Sequence, residues 1–100
     1  MAEDAEMISL QAAIFDPATL KGRDVTIEGG VVLLDLERER MDLSAGGAKL
    51  ICRVHGVDAA AKAALREGAV VRATGRVAKE QRRTLLEASR VVVVVRGDPG

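Results

Sequence analysis

Apolar and polar side chains alternate along five short stretches of this chain, and only one stretch between them carries a clear helix signature. Period-two alternation places one set of side chains on each face of a β-strand. Val25 and Ile27 alternate with Asp24, Thr26 and Glu28. Leu50, Cys52 and Val54 alternate with Lys49, Ile51, Arg53 and His55, and Val71, Ala73, Gly75 and Val77 with Val70, Arg72, Thr74 and Arg76. The last stretch ends in five consecutive valines, Val91–Val95, whose branched side chains suit a strand and penalise a helix. The expected strands are 24–35, 40–44, 49–55, 69–78 and 84–95. Between the third and fourth, Asp58 reads as an N-cap, followed by an alanine-rich run and stopped by Gly68, so a helix is expected over 58–67. Gly29-Gly30 suggests a bulge or bend in the first strand, and a bulge near Ser89-Arg90 would set the register of the last.

The order β-β-β-α-β-β implies an all-β fold with small α content. A five-stranded closed or partly open Greek-key barrel answers it best, because closure removes exposed edges. Residues 1–20 are expected to form an N-terminal arm, with a short helical turn opened by Asp16-Pro17 and ended by Gly22. Residues 21–96 form the barrel and 97–100 a flexible tail. Within the arm, Ile8, Leu10, Ala12 and Ile14 alternate like a strand, while Met7, Leu10 and Ile14 also fit a helical stripe.

Two phrases carry a resemblance. They are Leu20-Lys21-Gly22-Arg23-Asp24-Val25-Thr26-Ile27-Glu28-Gly29 and Leu65-Arg66-Glu67-Gly68-Ala69-Val70-Val71-Arg72-Ala73-Thr74-Gly75-Arg76-Val77. Over about residues 20–96 the chain resembles the OB-fold superfamily, in particular small bacterial OB domains. The first phrase looks like their opening strand, the second like their helix end and fourth strand. There is a distant similarity to the haem chaperone barrel of cytochrome c maturation. That family attaches haem through a C-terminal histidine, whereas His55 is the only histidine here. Haem carriage is therefore not expected, and no cofactor is.

Composition narrows the function classes. One cysteine, Cys52, and one histidine leave no disulfide and no cysteine-based zinc site. Cys52 points with Leu50 and Val54 toward the core, as an inert thiol does. No P-loop, dinucleotide glycine pattern or nucleophile elbow is present, and nothing marks Ser44 or Ser89, so an enzyme is not expected. No apolar run reaches 18 residues, and the start Met1-Ala2-Glu3-Asp4-Ala5-Glu6 is acidic, so the expected setting is the cytoplasm, away from a membrane.

Formal charge is zero but unevenly spread. Residues 1–20 carry Glu3, Asp4, Glu6 and Asp16 and no basic side chain, whereas residues 49–100 carry eleven basic against five acidic. Lys49, Arg53, Lys79, Arg82, Arg83 and Arg90 form a candidate nucleic-acid face beside the third and fifth strands. The alternating Glu37-Arg38-Glu39-Arg40 is either a solvated loop or a recognition loop, since OB domains use the loops joining strands one to two and four to five. Single-stranded nucleic acid also calls for aromatic platforms, and the chain has one Phe, Phe15, with no Tyr or Trp.

The two-faced apolar segments, Val31–Leu34 and Val91–Val95, point elsewhere, because a barrel interior takes only one face of each strand. Ile8, Leu10, Ile14 and Phe15 of the arm are the expected cover for Val92 and Val94, and together these six form a candidate assembly surface. The leading expectation is a non-catalytic OB-fold interaction module, binding a protein partner or a second copy of itself. Single-stranded nucleic acid bound through the basic face is the alternative.

Overall fold

The computed structural model describes residues 6–95. The elements are β1 (Glu6–Ile8), α1 (Leu10–Phe15), α2 (Pro17–Leu20), β2 (Asp24–Asp35), β3 (Arg40–Ala45), β4 (Ala48–Arg53), α3 (Ala59–Ala63), β5 (Val70–Glu80) and β6 (Arg83–Val95). The strands run β1-β2-β3-β4-β6-β5 in space, and pairing of β5 back onto β2 closes the last five into an OB-type barrel. Glu3 and Asp4, and the tail expected at 97–100, lie outside the described residues.

β2 makes closure possible. Its first half, Asp24–Gly30, pairs with β5, and its second half, Gly30–Asp35, pairs with β3. On the side of the first half that β3 leaves open, β1 adds in parallel, Glu6–Ile8 against Val25–Ile27, so the short extra strand covers an otherwise bare edge. Among the described residues no helix is long and apolar enough to cross a membrane.

One face of each strand supplies the core. Val25, Ile27 and Val31, Met41 and Leu43, Leu50 and Cys52, Val71, Ala73 and Val77, and Leu86, Ala88 and Val91 are all buried in one cluster. The second, expected bulge falls at Ser89, between the pairs Thr74–Arg90 and Gly75–Ala88. Gly75 has to be glycine here. A Cβ would collide with the Glu87 carbonyl oxygen and come within 2.7 Å of Ala88 Cα, both of them backbone. Gly46 and Gly47, at φ +58° and +84°, make the two-residue turn between β3 and β4, a conformation that side chains resist.

Several expectations need correction. The first strand is not bulged at Gly29-Gly30, which keep regular partners in Val71 and Val70; the extra residue is Val32, between the pairs Val31–Leu43 and Leu33–Asp42. This bulge explains the two-faced run: Val31 turns inward, Val32 and Leu33 outward, and Leu34 packs back on the core. The third strand stops at Arg53 because the Val54 N–H donates to the Glu39 carbonyl instead of a ladder partner (2.8 Å). The helix is shorter than 58–67. Asp58 does cap it, accepting from the Ala61 N–H at 2.8 Å, but after Ala63 the chain tightens, and the Leu65 N–H donates to Lys62, three residues back. That turn carries Leu65 into the core, 4% exposed.

The arm is both strand and helix. Ser9 caps α1 by accepting from the Ala12 N–H (3.1 Å), and α1 seats Leu10 and Ala13 in the core, with Ile8 and Ile14 packed beside them. Gln11 donates to the Ala45 carbonyl, tying α1 to the β3–β4 turn. The arm thus docks on its own barrel but does not cover the outer valines. Val92 remains 51% and Val94 42% exposed, and Phe15 is 81% exposed at the end of α1. The reason is geometric: the parallel pairing with β2 commits the arm to one end of the barrel, away from the outer face of β6.

Candidate functional site: a cleft between two loops

Register alone builds a surface across the outer faces of the strands. Leu33, Asp42, Ile51, Leu85 and Ala78 are successive partners on β2, β3, β4, β6 and β5, an apolar row interrupted by one carboxylate. The next row is charged: Asp35, Arg40, Arg53, Glu87, Arg76 and Asp24 follow one another around the barrel until the circuit closes on β2.

Where these rows meet the β2–β3 loop and the β5–β6 turn there is a cleft of about 490 Å³, lined by Arg38, Arg40, Ile51, Arg53, Glu80, Gln81, Arg83 and Leu85. The β5–β6 hairpin projects beyond the barrel, with Gln81 and Arg82 at positive φ in its turn, and forms one wall. The β2–β3 loop forms the other. It is braced by Lys62 of α3, whose Nζ lies 2.7 Å from Glu39 Oε2 and holds that carboxyl below its usual range.

Most of the cleft's positive charge is already matched. Arg53 reaches Glu80 Oε1 at 2.6 Å and Glu87 Oε2 at 3.6 Å, and Arg40 reaches Asp42 at 3.0 Å. These carboxylates raise both guanidinium pKa values further, the hydrogen bond contributing most in each case. Arg38 sits 3.8 Å from Asp35. Among the described residues Arg83, Arg82 and Lys79 have no ion pair. Glu87 Oε1 is buried with no hydrogen-bond partner among the described residues, and His55 Nδ1 stands 3.8 Å from it.

The six basic residues read from the sequence do not make one face. Arg53 and Arg83 line the cleft, Lys79 and Arg82 belong to the projecting hairpin, and Lys49 lies further along β4 opposite Ser44. Arg90 lies on β6 opposite Thr74, beyond the last pair with β4 at Glu87, and the bulge at Ser89 turns it outward. Arg38 and Arg40 were legible only as members of a candidate recognition loop. Ile51 of the apolar floor was concealed because β4 alternation reads it as the face opposite the core, and Leu85 because its pairing with Ile51 is a matter of β4–β6 register.

Chemically the cleft presents guanidinium groups, a carboxylate, an amide and two apolar side chains. Cys52, behind Ile51, faces the core. Burial first, then Glu87 and Asp42, pushes its thiol up to about 12, so it is protonated at neutral pH. Among the described residues no three His, Cys, Asp or Glu side chains gather as a metal-ligand set.

No protein-family profile matches the chain, and no curated relative does. Solved structures do. The chain is similar to the fission yeast Stn1-Ten1 complex (14% identity over 95% of this chain and 81% of that one, TM-score 0.68). It is similar to the hypothetical protein ygiW of E. coli (11%, 94% and 100%, TM-score 0.67). It also matches Entamoeba histolytica asparaginyl-tRNA synthetase (16%, 97% of this chain, TM-score 0.73), of which it spans only 25%. At these identities the likeness establishes the OB-type barrel and nothing finer.

Proposed function

We propose that this chain is a non-catalytic interaction module that holds a segment of a protein partner in the cleft between the β2–β3 loop and the β5–β6 turn. The observation that carries the reading is the lining. Ile51 and Leu85 give an apolar floor, and the guanidinium groups of Arg40 and Arg53 are already paired with Asp42, Glu80 and Glu87. A lining of both signs over an apolar floor suits a peptide segment, which carries both signs and apolar side chains. A phosphate chain would have to displace those carboxylates, and it would find no aromatic on which to stack. A solved relative supports the general idea: the Stn1-Ten1 structure is a protein complex.

Single-stranded nucleic acid is the second reading. It is favoured by Arg82, Arg83 and Lys79, which have no ion pair among the described residues and cluster on the projecting hairpin. A photo-crosslinking residue at position 51, used in cells that naturally make the protein, separates the two. Adducts to protein that are absent from a control at Thr19 are expected. A 12-nucleotide single strand at low salt should leave the backbone resonances of Ile51, Arg53 and Arg83 unmoved. Shifts at those residues whose affinity falls with a log–log salt slope of about −0.7 per phosphate contact would replace the protein reading with the nucleic-acid one.

A further inference from the structure

We propose that the free edge of β6 pairs with the same edge of a second copy, so that two chains join through antiparallel Arg90–Val95 segments into a closed dimer. This goes beyond the cleft reading and does not rest on it. β4 pairs with β6 only over Leu85–Glu87, and the loop after β4 reaches the strand at Gly56, whose position faces the Ala88 carbonyl. Beyond that point α3 lies beside β6 without backbone pairing, β6 is hydrogen-bonded to β5 alone, and among the described residues no other backbone bond reaches Arg90–Val95. An open row of backbone donors and acceptors on a long strand is a template for another strand.

The side chains here favour that occupancy. Val92, Val94 and Val95 are 51%, 42% and 55% exposed, although Val91 and Val93 of the same run pack on the core. The other free edge, on β1, is three residues long, and its Glu6 is tied to Arg23 at 2.8 Å. It is shorter, and exposes one large apolar side chain, Met7, against three on β6.

A second copy is the occupant these residues specify. Antiparallel pairing of an edge with itself obeys a two-fold axis and uses up both edges, so it closes at two chains. With the two-fold axis at Val92, Val91, Val92 and Val93 each find a valine opposite them. Arg90 then faces Val94 of the other copy rather than its own equivalent, so no like charges meet across the strands. One strand inward, Arg72 is already paired with Glu28 at 2.9 Å. The bulge at Val94 confines regular pairing to a few residues. With so few residues paired, the expected dissociation constant is in the micromolar range or weaker, on the order of a small transient interface.

Sedimentation equilibrium of the full chain tests this. The mass should rise from 10.6 kDa toward twice that value as concentration increases. Val92→Lys with Val94→Lys places cations across the axis and should weaken the dimer at least about tenfold, with an unchanged circular dichroism spectrum. Val92→Thr keeps the branched shape and should weaken it severalfold, which preserves the test if the lysine variant misfolds. A parent chain that stays monomeric to about 0.5 mM, a lysine variant that dimerises like the parent, or a mass beyond two chains overturns the proposal.

Discussion

Cys52 lies on β4 with both neighbouring inward residues, Leu50 and Val54, buried beside it. Its thiol is shifted upward from 9.0 to about 12, chiefly by burial. In the unfolded chain the same group ionises near its ordinary value. Below about pH 9 both states hold the proton and the group has no effect on stability. As pH rises from 9 toward 12 the unfolded chain sheds its proton while the folded one keeps it, so stability falls. The expected slope from this group is at most about 1.4 kcal/mol per pH unit, seen as the difference between the parent and Cys52→Val in denaturant melts at each pH. At pH 8 a thiol reagent should label the protein only at the rate of unfolding; rapid labelling of the folded chain would contradict the burial. The orientation of Cys52 was legible from simple alternation. That of Arg90 rested on the expected bulge: one extra residue at Ser89 reverses the faces that plain alternation gives Arg90 and the valines up to Val93.

At the scale of elements, β2, β5 and β6 were legible because each is long enough to exclude the helical period, and the shorter β3 and β4 because the Gly46-Gly47 turn marks them as a hairpin. The arm is not decided in this way. β1 and α1 have three and six residues, too few for either period to establish itself, and they split the stripe that Met7, Leu10 and Ile14 would share. Val32 was hidden for the opposite reason: a valine gives no sign of a bulge, whereas the adjacent glycines do. The arm's contribution can be measured. Leu10 and Ala13 are 1% and 0% exposed, so removing residues 1–15 opens their sockets in the barrel. Loss of the leucine alone should cost about 2–5 kcal/mol. The truncated chain is expected to melt well below the parent and to bind a hydrophobic dye. An unchanged melt with no dye binding would mean that the barrel closes without α1.

Over the whole molecule, closure consumes part of the charge imbalance along the sequence. Glu28–Arg72, Asp24–Arg76 and Glu39–Lys62 each join the acidic first half to the basic second. Thr26 and Thr74 share a hydrogen bond between the first two pairs, so the β2–β5 seam is a ladder of matched polar contacts. Those residues were visible in the sequence, but their partners were not, since pairing across a gap of 44 residues depends on register. Reversing one charge, as in Glu28→Arg, should destabilise the barrel by about 0.5–1 kcal/mol, and adding Arg72→Glu should restore most of that loss. If the double change is no better than the single one, the pair contributes nothing at this seam.

That seam also fixes the order in which the molecule can be completed. Residues 24–45 leave the ribosome early and can form the β2–β3 hairpin at once. The first half of β2 and the α1 socket stay without their β5 and β6 walls until residues 70–91 have emerged. The last strand to be synthesised is therefore the one that seals the barrel. A nascent chain stalled before β6 holds an apolar interior open to solvent or to a chaperone for the whole time that strand is being made. With its decisive contacts between distant segments, the released chain should fold on the slower, millisecond-to-second scale typical of barrels rather than in microseconds.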